Sequence, residues 1–312
     1  MKYCFGVDVG GTSIKIGLFT TEGELIVKWE IPTDKSDQSE AILPDIAASL
    51  RNKIREKEIS ADEIVGIGIG VPAPVIEGGI IATQVTNLGW GYKDVKGELE
   101  EMTGLPVRAG NDANVAALGE MWLGAGNGEK NMVMVTLGTG VGGGAILNGR
   151  LIEGANGACA EIGHICVNTE ETDHCGCGKT GCMEQYASAT GIARIGRERL
   201  AEDEAPSVLR GQEITAKAVF DALKRGDCVA EEIVEKFGYY LGHGLANIAA
   251  VLDPKVIVIG GGVSKAGEIM IPYIKKYFLA NAFFANRETE FRIAKLDNDA
   301  GICGAAKLIL DR

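Results

Sequence analysis

Three short apolar runs open the chain, at residues 3–9, 14–19 and 25–31. Each is partly alternating and rich in β-branched or aromatic residues. Gly10-Gly11-Thr12 and Glu22-Gly23 separate them, so a three-stranded β-meander is predicted. The period then changes. Ile42, Ile46, Leu50 and Ile54 recur four apart within residues 39–57, the spacing of one helix face, and a nearly continuous apolar run follows at 64–71 as a buried strand. A helix over 95–102, a short strand at 107–109 and a helix over 112–123 complete a first α/β unit, and the glycine- and charge-rich stretch 124–130 marks a boundary. A second unit opens on runs at 132–137 and 144–147 around another glycine turn, an echo of the first hairpin that suggests two related halves. Helical spacing follows at 184–200, 215–224 and 229–251, with strands at 256–259 and 291–294 and a last helix over 299–310. The stripe Ile233, Phe237, Tyr240, Leu241 and Leu245 suits either a core or a subunit contact.

A chain of 312 residues can bury a substantial core as two domains or one large one. Its formal charge of -12 disfavours nucleic acid, because binding to a phosphate backbone is driven by clustered Lys and Arg. The apolar runs are far shorter than the about 20 residues that a bilayer requires, so no membrane partner is expected. With a strand already under way at Tyr3 there is no room for a targeting sequence. Cys4, Cys159, Cys166, Cys228 and Cys303 show no framework spacing, which points to a reducing, cytoplasmic location. The 44 glycines gather at a few strand ends, where backbone would approach something closely; that distribution suggests phosphate.

The other three cysteines carry chemistry. In His164-x10-Cys175-x-Cys177-x4-Cys182, four soft or borderline donors in one loop suit a structural, tetrahedral Zn(II). Gly176, Gly178 and Gly181 let the chain fold back around an ion. His174, beside Cys175, is an alternative fourth ligand. Three inert buried thiols with a surface histidine, or a disulfide pair, are the plainer readings; the close spacing and the reducing context disfavour them. Glu161 and Glu184 flank the loop.

Three glycine turns invite a nucleotide. Asp8-Val9-Gly10-Gly11-Thr12 joins two strands, so it is no Walker loop, and Gly178-Lys179-Thr180 fails that pattern because residue 173 is Asp where Gly is required. Gly138-Thr139-Gly140-Val141-Gly142-Gly143 satisfies GxGxxG, yet a strand follows it where a dinucleotide site needs a helix. Gly260-Gly261-Gly262-Val263-Ser264 follows a buried strand and precedes a predicted helix, a place for base, sugar or phosphates. Each turn alone is ordinary. Combined, Thr12 and Thr139 could present hydroxyls and N–H groups to phosphates, with Asp8 holding Mg(II) directly or through water. The plainer readings are a turn-capping Asp8 and an Asn111-Asp112 pair that merely caps a helix.

Five motifs in register resemble the ROK family of sugar kinases and repressors, and within it the bacterial glucokinases. They are Asp8-Val9-Gly10-Gly11-Thr12, Asn111-Asp112-Ala113-Asn114, Leu137-Gly138-Thr139-Gly140-Val141-Gly142, Glu161-Ile162-Gly163-His164 and Cys175-Gly176-Cys177-Gly178-Lys179-Thr180-Gly181-Cys182-Met183-Glu184. The resemblance implies an α/β, actin-like (ribonuclease-H-like) ATPase fold. Two domains would flank a cleft: 1–123 plus 299–312, small and N-terminal, and 124–298, larger and carrying the zinc loop. It implies ATP-dependent phosphorylation of a hexose, glucose to glucose 6-phosphate first, with Asp112 as general base. Asn87, Asn111, Asp112, Glu161, His164 and Glu184 would contact the sugar. Asp8, Gly10, Gly11, Thr12, Lys15, Gly138, Thr139, Gly140, Gly261 and Gly262 would bind MgATP. His164, Cys175, Cys177 and Cys182 would bind zinc, which would leave the other His164 ring nitrogen for the sugar. Ala73 departs from the family, which more often has Gly there. N-acetylglucosamine, N-acetylmannosamine, fructose or allose are alternative acceptors, polyphosphate an alternative donor, a sugar-responsive regulator an alternative class, and a homodimer the family's common state.

Overall fold

The computed structural model describes residues 1–81, 85 and 88–311; Asn87 and Arg312 lie outside the described residues. Contacts group the chain into two compact units, Met1–Lys130 with Gly144–Ala160 and Leu296–Arg312, and Asn131–Gly143 with Glu161–Lys295.

In the first unit, β1 (Tyr3–Val9), β2 (Ser13–Thr20) and β3 (Leu25–Pro32) form the predicted meander. After α1 (Ile42–Glu56), strand β4 (Ile64–Val71) pairs parallel with β1. The short pair β5 (Ile80–Ile81) and β6 (Lys93–Asp94) precedes α2 (Val95–Thr103), and β7 (Val107–Asn111) then pairs parallel with β4. The sheet order is β3-β2-β1-β4-β7. Helix α3 (Asp112–Leu123) follows β7 without a loop.

Alternation decides what each sheet face meets. Phe5, Val7, Ile67 and Ile69 share a core with Ile42, Leu43, Ile46 and Leu50 of α1. On the opposite face β4 carries glycines, and the C-terminal helix α9 (Ala300–Leu310) packs there. A Cβ built on Gly68 would stand 1.7 Å from the Ala305 carbonyl oxygen, and one on Gly304 1.7 Å from that of Val115 in α3. Such contacts are possible only without side chains. Glu120 of α3, fully buried, accepts the Ala125 N–H and the Leu296 N–H, both at 2.7 Å, and so pins the returning chain.

After β8 (Met132–Leu137), strand β9 (Val141–Leu147) runs from one unit into the other and turns back through β10 (Arg150–Leu151). A Cβ on Gly144 would meet that of Ala117 at 2.5 Å. This packing is why Gly144–Ala160 groups with the first unit, although the sequence pattern put it in the second.

The second unit holds α4 (Glu184–Ala187), α5 (Ala189–Glu202), α6 (Ala216–Leu223) and the long α7 (Cys228–Leu252). β11 (Val256–Gly260), α8 (Ile271–Asn281) and β12 (Glu290–Ile293) complete it, with β11 parallel to both β8 and β12. The helix expected over 184–200 is broken at Ser188, which is extended and caps α5 through the Gly191 N–H at 3.0 Å. Helix α8 starts at Ile271, later than the helix expected directly after the Gly260–Ser264 turn; its signals are Pro272 in the first turn and buried Ile274 and Phe278 four apart. The α7 stripe is core except for Tyr240, which is half-buried: Ile233, Phe237, Leu241 and Leu245 are at most 1% exposed. Among the described residues no helix is long and apolar enough to cross a membrane.

Gly304→Ala should therefore overpack the α3–α9 contact and cost at least the upper end of the about 1–3 kcal/mol typical of such changes. Gly91→Ala, with nothing within 4 Å of the new methyl, should stay within about 0.5 kcal/mol of the parent. Urea melts of both variants measure this; equal midpoints would remove the close approach as a constraint.

Candidate functional site

Asp8 occupies the face of β1 that meets α9, and a Cβ at Gly301 would lie 2.5 Å from its carboxyl carbon. The carboxylate thus rests against the first turn of α9 and does not cap its own hairpin, where the Gly10 N–H bonds Ser13 O at 3.1 Å. Burial pushes the Asp8 carboxyl up to about 6; the Lys15 ammonium opposes this and the Asp112 carboxylate adds to it. Lys15 Nζ also donates to Asn298 O at 3.3 Å. Gly11 and Thr12 are exposed at the turn, which Thr33 braces by donating its N–H to Thr12 O and its hydroxyl to Gly10 O. The Lys35 ammonium, missed in the sequence, stands 3.4 Å from where a Gly11 Cβ would be.

Asn111 is the N-cap of α3: its Oδ1 accepts the N–H groups of Ala113 and Asn114 at 3.0 and 3.2 Å. Its Nδ2 donates to Asp112 Oδ1 at 3.0 Å and to Ala73 O at 3.4 Å. Asp112 is exposed at the first position of the helix, where the same Oδ1 accepts the Ala113 N–H at 2.8 Å. Capping and an aimed carboxylate are thus one arrangement: the cap orients the acid. Ala73, the departure from the family, still supplies the carbonyl that Asn111 needs.

In the second unit the cysteine loop folds on itself. The Cys175 N–H donates to Lys179 O at 2.7 Å and the Gly178 N–H to Cys175 O at 2.8 Å, with Gly178 at φ 85°. Lys179 Nζ reaches His164 O at 2.9 Å. One ligand atom each from His164, Cys175, Cys177 and Cys182 lie within 4.8 Å of one another. Cys175 Sγ is 3.7 Å from His164 Nδ1, and Cys177 Sγ 3.6 Å from Cys182 Sγ. A tetrahedral zinc with S–Zn bonds of about 2.3 Å needs donor separations of about 3.8 Å, so the set fits the ion. Burial raises the Cys175 thiol and pushes Cys182 up to about 12, while backbone hydrogen bonding lowers that of Cys177; a bound cation would hold all three as thiolates. His174 is excluded from the set; its Nδ1 lies 3.1 Å from Gly178 O.

Glu184 opens α4, and its Oε2 accepts the Val141 N–H at 2.9 Å. Its Oε1 is 3.6 Å from Cys175 Sγ, so the carboxylate links the glycine turn after β8 to the cysteine loop. Gly140 is glycine for that reason: a Cβ there would sit 2.2 Å from Oε2. Gly138 and Thr139 are braced by α5, through the Ala189 N–H to Gly138 O and the Thr190 hydroxyl to Thr139 O, each at 2.8 Å. Glu161 is exposed immediately before the turn Ile162–His164.

Gly261 and Gly262 follow β11, but the element after them is the 3-10 turn Gly262–Ala266, which corrects the expected helix. The turn borders a pocket of about 360 Å³ lined also by Thr215, Lys217, Phe220 and Lys224, residues without a motif in the sequence. Asp8, Gly10, Gly11, Thr12, Lys15, Asn111 and Asp112 thus belong to one unit, and the remaining described candidates to the other.

The chain matches the ROK family over residues 4–312. It is 48% identical to a glucokinase of Halalkalibacterium halodurans over 99% of this chain and 95% of that protein. It is 35% identical to a glucokinase of Streptomyces coelicolor over 99% and 98%. A ROK glucokinase of Streptomyces griseus, solved in complex with glucose and AMPPNP, is similar at 33% identity and a TM-score of 0.75, with 98% of each chain covered. The mixed sheets and flanking helices agree with the two-domain α/β fold of these kinases. Since the likeness runs nearly from end to end and takes in each of the five motifs, the chain belongs to the ROK family.

Proposed function

We propose that this chain transfers the γ-phosphoryl group of MgATP to a hexose hydroxyl, with glucose the first acceptor and Asp112 the general base. The observation that carries the reading is Asp112, exposed and oriented by Asn111, within electrostatic reach of a half-buried Asp8 beside a glycine-threonine turn. It is a sugar kinase with the usual needs of phosphoryl transfer: an aligned alcohol, neutralised phosphates and a proton acceptor. Asp112 Oδ1 is engaged by Asn111 and the Ala113 N–H, which holds the carboxylate ready to take the hydroxyl proton late in a loose transition state.

Asp8 fits Mg(II): a carboxyl that burial holds near 6 regains its charge beside a divalent ion. Mg(II), when bound, neutralises the phosphate oxygens. The N–H groups and hydroxyls of Gly10 to Thr12 and of Gly138 to Gly140 receive phosphates, Lys15 offsets their charge, and the pocket beside Gly261 and Gly262 takes the adenine against Phe220.

Glu161, His164 and Glu184 accept or donate to hexose hydroxyls, with Asn111 and Asn87 on the same substrate. Fixed partners reject an epimer by leaving a buried group unpaired. His164 Nδ1, which lies 3.7 Å from Cys175 Sγ, would be the ring nitrogen that holds zinc, and Nε2 would be left to meet the sugar. A homodimer is proposed from the family alone. A screen of glucose, N-acetylglucosamine, N-acetylmannosamine, fructose and allose by coupled ADP release orders the acceptors, with ATP and polyphosphate as donors; no release with any acceptor would favour a regulator.

Asp112→Asn should lower kcat by about 10²–10⁴-fold, the range of a lost general base, while hexose still binds by calorimetry. Near-parental turnover would remove Asp112 from the role. Because burial raises the Asp8 pKa, the protonated form is favoured in the fold. Stability from this group is full below the unfolded value of 3.8 and is lost as pH rises through about 6. Asp8→Asn should therefore melt higher than the parent at pH 7, yet lose MgATP-dependent activity, and parental kcat/KM for MgATP should fall as pH drops through about 6. Chelation of zinc should raise the hexose KM; unchanged KM and kcat after verified metal loss would break the link through His164.

A further inference from the structure

Glu171, four residues before Cys175 and outside all the motifs above, is the centre of a network in the second unit. Its Oε2 accepts from the Tyr186 hydroxyl at 2.6 Å and from the Arg194 guanidinium at 3.0 Å. Its Oε1 accepts the N–H groups of Thr172 and Asp173 at 3.0 and 3.1 Å. The side chain is only 10% exposed. Burial alone would raise its pKa, but the Tyr186 hydroxyl, the Asp173 N–H and Arg194 together outweigh it and hold the carboxyl at about 2.

Each partner is itself tied to an element of the metal loop. Arg194, on α5, also donates to Gln185 O at 3.2 Å and lies 5.2 Å over the Tyr186 ring. Tyr186 stacks on Tyr240 of α7, with centroids 3.7 Å apart, and its hydroxyl accepts from Asn168 at 2.8 Å. Gln185 accepts the N–H of Cys182 at 3.0 Å and donates to Asp173 O at 2.8 Å. The network thus grips the chain two residues before Cys175, the backbone of Cys182 itself, and the short helix that Glu184 opens.

We propose that Glu171 is a positioning residue: anchored by Arg194 and Tyr186, it sets the separation of Cys175 and Cys182 and the direction of Glu184, so that the ligand set is formed before the ion binds. The physical basis is preorganisation, because a ligand set that must be ordered on binding loses affinity to that ordering. The inference rests on the reading that His164 and the three cysteines hold zinc and that Glu184 meets the hexose.

The test compares the full-length parent with Glu171→Ala, Glu171→Gln and Tyr186→Phe, reading zinc affinity by competition with a chromogenic chelator and, separately, hexose KM and kcat. Glu171→Ala should weaken zinc about 10- to 100-fold, the usual loss when the groups that orient metal ligands are removed. It should raise the hexose KM more than it changes the KM for MgATP. Glu171→Gln, which retains an acceptor, should recover part of both. Tyr186→Phe keeps the stack on Tyr240 and should move both readouts the same way by less, so it carries the test if Glu171→Ala does not fold. Parental zinc affinity and hexose KM in the variants, even with lower melting temperatures, would overturn the inference. A parent chain that takes up no zinc overturns it together with the metal reading. Weakened zinc in variants of a parent without kinase activity would sustain it while sinking the proposed function.

Discussion

The packing of α9 against β1, β4 and α3 depends on missing side chains, and the chemistry of the first unit depends on that packing. Helix and sheet normally stand apart by the width of their side chains; where glycines replace them, backbone meets backbone. The hypothetical Cβ contacts at Gly68 and Gly304, both 1.7 Å, leave no room for even a methyl group. Held this close, α9 places Gly301 against the Asp8 carboxylate, and α3 presents Asp112 from its first turn. The penalty is electrostatic. Asp8 is driven toward its neutral form, and a group in that condition gains most from a cation.

The second unit uses the same device for another purpose. Gly140 lacks a side chain so that the Glu184 carboxylate can lie over its turn and accept the Val141 N–H. One carboxylate is thereby fixed by a glycine turn on one side and by the edge of the cysteine loop on the other. Fixed acceptors suit a neutral polyol, because discrimination among hydroxyl patterns needs groups that cannot follow the wrong epimer. The four-donor set and the Glu171 network would both serve that rigidity, one from inside the loop and one from behind it.

Much of this was legible along the chain. β1, β4 and α3 begin and end where the pattern predicts them, at Tyr3–Val9, Ile64–Val71 and Asp112–Leu123, because each is bounded by turn residues or a cap. The metal set was legible from cysteine spacing, which left His164 and His174 open; the resemblance favoured His164, and the distances in the fold agree with that choice. Helix α8 was expected after the Gly260–Ser264 turn but without bounds, because its apolar positions are few and its N-terminus lacks a side-chain cap. The pocket beside Gly262 draws Thr215, Phe220 and Lys265 from separate segments, and no local pattern joins them. Glu171 was invisible for a similar reason: a lone acidic residue in a polar loop resembles any solvated charge until Tyr186 and Arg194 arrive from elsewhere.

By itself, then, the sequence determined the elements, the order of the motifs and the identity of the chemical groups, since periodicity, caps and ligand spacing act over short stretches of chain. Only the tertiary structure decided which of those groups are buried, which hydrogen-bond acceptors are occupied and why particular glycines cannot be replaced. Those properties arise from atoms distant in sequence meeting at van der Waals range, and no local pattern records them. The Asn111-Asp112 pair shows the division clearly: the residues could be read as a cap or as an acid, and the structure makes the cap the means by which the acid is aimed.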